Sequence, residues 1–412
     1  MNKNLLTEFK NRGFFFQCTN EKYLEKLLDN KKISFYIGFD CTASSLHVGS
    51  LIQIMCLRLF QKYGHTPIVL LGGGTTMVGD PSGKEESRKI LSEKEIQKNI
   101  KKIKNVFGKF LDSKAKNKPI YVDNKNWLSK LNYINFLRDF GKYFTINKML
   151  TFDSVKLRLD REQSLSFLEF NYMILQAYDY LELFKKNKCL LQIGGSDQWG
   201  NIINGVELVR KEAQEEVVGL TTPLITTSQG TKMGKTEKGA VWLDEELLSS
   251  YDYWQFWRNT DDRDVIKYLY LFTELTTENI RQYENYSGSK LNELKILLAN
   301  EATKLLHGNK AAKKAELTSK STFESRSTGD ELPSKKIKKS DIEKGVLFKD
   351  LLLNIEFASS GGDFRRNLSN NAYRINNVIE TSDTKLLTLA DAINSQIKIS
   401  FGKKKHFVIK VI

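Results

Sequence analysis

Cysteine and histidine are scarce, four of each in 412 residues. Cys18, Cys41, Cys56 and Cys189 lie far apart with no C-x-x-C pair, and His47, His65, His307 and His406 include no i, i+4 pair. Zinc-ligand spacing is therefore absent, and a disulfide framework is argued against. We expect no protein-bound structural metal; any metal should arrive with a substrate. Long apolar runs are missing too. The most apolar stretches, 51–60 and 68–71, fall well short of the roughly 18 residues a membrane helix needs. The first residues lack an apolar core and carry an early acid, Glu8, which speaks against a targeting segment. A soluble, cytoplasmic protein with no membrane partner is expected.

What is present is a folded, basic chain. It is 40% hydrophobic and 11% aromatic, enough for sizeable cores, and its length suggests two to four domains at roughly 100–200 residues each. Lys and Arg outnumber Asp and Glu by 64 to 49, and the excess is clustered: +7 falls in 98–118 and +7 in 335–412. Clustered positive charge is the footprint of a polyanion partner, although a solvated lysine-rich surface accounts for it equally well.

The first half alternates strand and helix signals. Residues 33–39 are β-prone, 51–63 carry the broad apolar stripe of a buried helix, and Gly64 is placed to end that helix in the left-handed conformation. A buried strand at 68–71 runs into Gly72-Gly73-Gly74, completing a β–α–β unit and hence a parallel sheet. The theme recurs at 189–193, Gly194-Gly195 and a helix from about 198 to 211, with a largely helical insertion between. These features predict an α/β, Rossmann-like doubly wound parallel sheet. The domains expected are a catalytic domain at 1–222, a signature loop with an α-helical domain at 223–307, a Lys/Ser/Thr/Glu-rich linker at 308–335, and a small α+β domain at 336–412.

Two common glycine-rich assignments fail. Residues 79–85 (Gly79-Asp80-Pro81-Ser82-Gly83-Lys84-Glu85) are one residue short of a P-loop and place Glu85 where a magnesium-binding hydroxyl is needed. Gly72-x-Gly74 has Met77 where a dinucleotide fingerprint has its third glycine. A better site follows the first strand: Tyr36-Ile37-Gly38-Phe39-Asp40-Cys41-Thr42, then Leu46-His47-Val48-Gly49-Ser50. Gly38 and Gly49 permit close approach of a planar or anionic ligand, and His47 stands at a helix N-terminus, where backbone N–H groups favour phosphate. Its complement is Lys232-Met233-Gly234-Lys235-Thr236, a glycine-containing cationic loop suited to a polyphosphate leaving group. On the helix expected at 166–184, Tyr172, Gln176 and Asp179 are four and three apart and share a face. A buried phenol needs a donor and an acceptor, which Tyr36 and Asp179 can supply; an α-ammonium needs acceptors, which Asp80, Tyr172 and Gln176 can supply. An apolar ring would leave Tyr36 and Asp179 unpaired, so phenylalanine is rejected without an editing domain.

Leu46-His47-Val48-Gly49 and Lys232-Met233-Gly234-Lys235-Thr236 resemble the two signatures of class I aminoacyl-tRNA synthetases. The surrounding sequence is similar to the bacterial-type tyrosyl branch in 36–43, 79–84, 172–179 and 192–201. This resemblance implies activation of L-tyrosine with ATP and transfer to tRNA(Tyr), Mg²⁺ accompanying ATP, and a homodimer. It places Gly38, Asp40, Gly195 and Asp197 along adenosine and ribose, with Gly49 and Ser50 in the same nucleotide cradle and Gln198 near the tyrosine carboxylate. Thr42 and His47 meet the terminal phosphate, faced by Lys232, Lys235 and Thr236, and Lys84 and Arg88 form a second cationic arm. Ser50 stands where the class signature has a second His or an Asn. Residues 357–377 resemble the alpha-L RNA-binding fold, implying RNA contacts by Arg365, Arg366 and Arg374. The tryptophanyl branch and a non-catalytic RNA-folding relative are the alternatives; intact His47, Asp179, Lys232 and Lys235 argue against the second.

Overall fold

The computed structural model describes residues 4–82, 91–228, 230, 233–236, 239–324, 332–402 and 405–412. The chain divides into two compact units, Met1–Gly308 and Asn309–Ile412.

The first unit is built on a six-stranded sheet: β1 (Gln17–Cys18), β2 (Ser34–Phe39), β3 (Thr66–Leu71), β4 (Ile120–Asp123), β5 (Cys189–Gly195) and β6 (Val218–Thr222), in the order β1-β6-β5-β2-β3-β4. All neighbours run parallel except the short edge strand β1, which is antiparallel to β6. From β2 the chain steps outward through β3 to β4, then returns to β5 on the other side of β2 and continues to β6. The strand order therefore reverses between β2 and β5, and the crevice beyond their carboxyl ends is the ligand position of a doubly wound sheet. The expected class holds, with an antiparallel edge added.

Local sequence explains the main elements. The Leu51–Lys62 helix buries Leu51, Ile52, Ile54, Met55, Cys56, Leu57 and Phe60, and Gly64 follows it at φ +91. The Phe167–Asn187 helix opens on a reciprocal capping box between Ser166 and Glu169 and closes with Lys188 in the left-handed region. It packs Met173, Ala177, Tyr180, Leu181 and Leu183 into the core beneath the sheet. The insertion between β3 and β5 is mostly helical but contains β4, a strand the periodicity did not reveal. Helices Ser250–Arg258, Val265–Phe272 and Ser289–His307 complete this unit. Residues 1–222 and 223–307 thus belong to one compact body.

The second unit departs from the linker expectation: Asn309–Glu324 is a helix, and Ser334–Ile337 is a strand parallel to Lys405–Val411. Small residues Ala312 and Ala315 are buried on that helix, so its apolar content was low because the residues it buries are small. The expected boundary near 335 falls inside a five-stranded sheet that also contains Tyr373–Ile375, Val378–Ile379 and Gln396–Phe401. Phe348, Phe364, Tyr373, Ile397, Ile399 and Ile409 form its core.

Candidate active site

A cleft of about 480 Å³ opens over the carboxyl ends of β2 and β5. Its floor holds Tyr36 and Gln192, cross-strand partners that face the same side of the sheet. The lining includes the expected Gly38, Asp40, Thr42, His47, Gly49, Ser50, Asp80, Tyr172, Gln176, Asp179, Gly195, Asp197 and Gln198. Residues from Tyr36 to Gln198 thus meet in one concavity.

At the deep end, Tyr36 is 1% exposed and its buried hydroxyl has no hydrogen-bond partner among the described residues. Burial, with Asp179 nearby, holds its pKa well above the ordinary phenol value. Asp179 is also buried; Trp127 Nε1 donates to its Oδ1 at 2.7 Å and Asn124 Nδ2 to its Oδ2 at 2.9 Å. Desolvation outweighs these two neutral donors and pushes the carboxyl pKa up to about 7. A ligand hydroxyl placed here meets a donor on one strand and an acceptor on the facing helix.

Further up the cleft, Tyr172 Oη donates to Asp40 Oδ2 at 3.1 Å and Thr75 Oγ1 donates to Asp40 Oδ1 at 2.9 Å. Asn124 Nδ2 also reaches Thr75 Oγ1 at 3.0 Å, so a continuous polar chain runs from Tyr172 to Asp179. Asp40, assigned by resemblance to the nucleotide, therefore also braces the amino-acid end. Gln198 Nε2 donates to Asp80 Oδ2 at 2.8 Å, and Asn201 Nδ2 holds the Oε1 atoms of Gln176 and Gln198 at 3.2 and 3.1 Å. Of the acceptors expected for an ammonium, Asp80 and Gln176 are thus pre-set by neutral amides, leaving the Asp80 charge uncompensated by a protein cation in these bonds.

The two signature segments touch. Val48 N donates to Val241 O and Leu243 N to Leu46 O, both at 2.9 Å, aligning 46–48 with 241–243. Gly234 has φ +87, and a Cβ there would lie 2.8 Å from Gly49 N and 3.0 Å from His47 Nδ1. Glycine is required at 234 both for its backbone conformation and for this approach. Gly49 N donates to His47 Nδ1 at 3.0 Å, so a neutral ring carries its proton on Nε2. Lys235–Thr236 pairs with Gly239–Ala240; the side chains of Lys235 and Thr236, and all of Lys84, Arg88 and Lys232, lie outside the described residues. Ser50 lines the cleft and makes no capping hydrogen bond.

Asn124, Trp127, Thr75 and Gln192 were not singled out from sequence. Trp127 in the insertion is the nearest to a signal, but its pairing with Asp179 spans 52 residues. Among the described residues no group of three or more His, Cys, Asp or Glu side chains is placed to hold a metal ion, and no helix is long and apolar enough to cross a membrane. In the second unit, Arg365 and Arg366 project from the Gly361–Ser369 helix, Arg366 bonded to Asp363 at 2.7 Å, while Arg374 is half-buried on Tyr373–Ile375.

The family model for tRNA synthetases class I (W and Y) matches residues 28–324. The chain belongs to this family. The tyrosine–tRNA ligase of Pelagibacter ubique is 59% identical and aligned over all of both chains. That of Caulobacter vibrioides is 50% identical over 97% of this chain and 96% of its own. Among solved structures, a C-terminally truncated mitochondrial tyrosyl-tRNA synthetase of Aspergillus nidulans aligns with a TM-score of 0.70 at 30% identity, over 78% of this chain and 95% of that one. A tyrosyl-tRNA synthetase from Archaeoglobus fulgidus shares the fold at 17% identity, with a TM-score of 0.55, over 76% and 99%. In this class I synthetase the matched segment contains the whole cleft.

Proposed function

We propose that this chain is an ATP-dependent ligase that activates L-tyrosine as tyrosyl-adenylate, releasing pyrophosphate, and then esterifies the terminal ribose of tRNA(Tyr). One observation carries the reading: a buried hydroxyl and a buried carboxylate, Tyr36 and Asp179, at the base of a cleft lined by the first signature segment, against which Gly234 of the second packs. The phenol of tyrosine donates to Asp179 and accepts from Tyr36. Its ammonium lies among Asp80, Tyr172 and Gln176, and its carboxylate faces Gln198. The carboxylate attacks the α-phosphorus of ATP, with Gly38, Asp40, Gly49, Ser50, Gly195 and Asp197 along the nucleoside. Charge develops on the departing pyrophosphate, so donors aimed at it lower the barrier. Thr42 and His47 act from the cleft and Lys232, Lys235 and Thr236 from the signature loop, with Lys84 and Arg88 as a second arm. Mg²⁺ accompanies ATP.

The proposed setting is the cytoplasm, and the proposed assembly is a homodimer. The segment between β4 and β5 leaves Tyr133, Ile134, Ile146, Leu157 and Phe167 at 52–70% exposure, an apolar surface that a second copy would cover. RNA phosphates are the proposed partners of Arg365, Arg366 and Arg374. ATP–pyrophosphate exchange with each amino acid in turn tests the core of this reading: tyrosine must drive exchange. Binding of structured RNA with no adenylate formed would replace it with a non-catalytic role.

A further inference from the structure

The turn that leaves β2 carries two cleft residues, Asp40 and Thr42, on either side of Cys41. The β2–β3 pairing ends at Phe39 and Leu71, so the peptide groups of Cys41 have no ladder partner. Cys41 is 0% exposed, and buried peptide groups without partners are costly. Both are satisfied by side chains. Cys41 N donates to Thr76 Oγ1 at 2.8 Å, and Cys41 O accepts from Asn99 Nδ2 at 2.9 Å.

Asn99 lies on the Glu93–Phe110 helix, amid the buried Ile96, Ile100 and Ile103 of its inner face. A polar amide among isoleucines costs stability unless its hydrogen bond is made. The same helix is held against β2 by an edge-on contact between Phe107 and Phe39, 4.8 Å between ring centres. The helix therefore has a rigid seat from which Asn99 reaches the turn. On one side of the fixed peptide, Asp40 is bonded to Thr75 and Tyr172; on the other, Thr42 opens into the cleft.

We infer that Asn99 is a positioning residue for the nucleotide end of the site, holding the Asp40–Thr42 turn in the geometry that pyrophosphate departure requires. The inference rests on the proposed ligase reading and extends it to a side chain outside the cleft. Of the phenol partners, Tyr36 is fixed between β3 and β5 in the strand ladder and Asp179 by Asn124 and Trp127, so loss of Asn99 acts on ATP before it acts on tyrosine. The charged groups that act on Cys41 are Asp40, Asp123 and Lys104; their titration is shared by wild type and variants, so a rate ratio removes it.

The test is steady-state ATP–pyrophosphate exchange by the full chain carrying Asn99→Ala or Asn99→Asp. Asn99→Ala is expected to lower kcat/KM for ATP by on the order of 10–100-fold, with the tyrosine KM changed less than about threefold and cooperative melting retained. Asn99→Asp keeps the shape and, when ionised, loses the donor and repels the carbonyl; burial raises its pKa. Its rate relative to wild type should therefore rise, not fall, as pH is lowered, while the Asn99→Ala ratio stays flat. Should Asn99→Ala not fold, the isosteric Asn99→Asp carries the test alone. Equal losses toward ATP and tyrosine, an Asn99→Asp ratio that falls as pH is lowered, or wild-type rates in both variants would overturn the inference while leaving the ligase reading intact. A wild-type protein without tyrosine-dependent exchange would remove both.

Discussion

Trp127 and Asp179 are joined by a 2.7 Å hydrogen bond from the indole Nε1 to carboxylate Oδ1. Trp127 follows β4 and Asp179 lies mid-helix in Phe167–Asn187, so the helical insertion supplies the support for the deepest polar group of the cleft. With Asn124 on the other oxygen, two neutral donors hold a carboxylate that faces no cation in these bonds. The group is fixed in place yet poised near neutrality.

Asp179→Ala is expected to raise the tyrosine KM by roughly 10²-fold or more while changing the ATP KM little, since a charged acceptor for the phenol is lost. The same change strips Asn124 and Trp127 of their acceptor, so thermal stability falls too. Asp179→Asn keeps the volume and separates the two effects. Equal losses toward both substrates in exchange kinetics would mean the phenol lies elsewhere.

Tyrosine affinity should depend on pH through this group. Burial pushes the Asp179 pKa up to about 7 in the ligand-free protein. A phenol donating its proton binds the ionised carboxylate, so affinity is full above about pH 7 and falls as pH drops below it, by up to tenfold per unit. For folding the sign is opposite. The unfolded carboxyl loses its proton near the usual value of about 4, whereas the folded one retains it to about 7. The ligand-free protein thus loses this contribution as pH rises between those limits. Titration of tyrosine against wild type and Asp179→Asn at pH 6 to 8 checks it; identical profiles would contradict it.

Much of this site is legible in the sequence because the chemistry is written in local spacing. The Tyr36–Thr42 strand end, the Leu46–Ser50 turn, and Tyr172, Gln176 and Asp179 on one helical face all follow from short-range patterns. The supports are different. Asn124, Trp127 and Asn99 act through hydrogen bonds to residues 52–58 positions away, and no periodicity encodes such partners. β4 escaped notice as a four-residue, half-buried strand in a lysine-rich insertion, and the Asn309–Glu324 helix because it buries alanines rather than large apolar side chains.

Arg12 is a separate structural anchor. Its guanidinium donates to the carbonyls of Tyr270, Thr273 and Leu275 at 3.0, 3.0 and 2.6 Å and pairs with the buried Glu8 at 2.7 Å. Arg12→Ala leaves Glu8 charged and unpaired, and should destabilise the protein by about 3–5 kcal/mol. Chemical denaturation measures this, and a loss under about 1 kcal/mol would show the clamp to be dispensable.

The exposed apolar segment should be covered in solution. Light scattering is expected to report twice the 47.4 kDa chain mass, and Ile134→Asp with Leu157→Asp should shift it to monomer. A wild-type monomer at micromolar concentration would refute the dimer.

Removal of residues after Gly308 follows the observed division of the chain, whereas a cut at 335 would leave the Asn309–Glu324 helix behind and sever the Ser334–Ile337 strand. The shortened protein should keep tyrosine-dependent exchange and charge tRNA poorly at physiological salt. In the full chain, Arg365, Arg366 and Arg374 replaced together by Ala should reduce the slope of log affinity against log salt by roughly 0.7–0.9 for each phosphate no longer neutralised. An unchanged slope would move the RNA-binding surface off these arginines.

The slot between Tyr36 and Asp179 reads an aromatic hydroxyl beside a nucleotide cradle. Pyrophosphate exchange into ATP, measured on the full chain with tyrosine, phenylalanine or tryptophan as the sole amino acid, decides whether it does. Tyrosine alone should support exchange, with the rate collapsing when Asp179 is replaced. Exchange driven by tryptophan and not by tyrosine, or by phenylalanine as readily as by tyrosine, would contradict it.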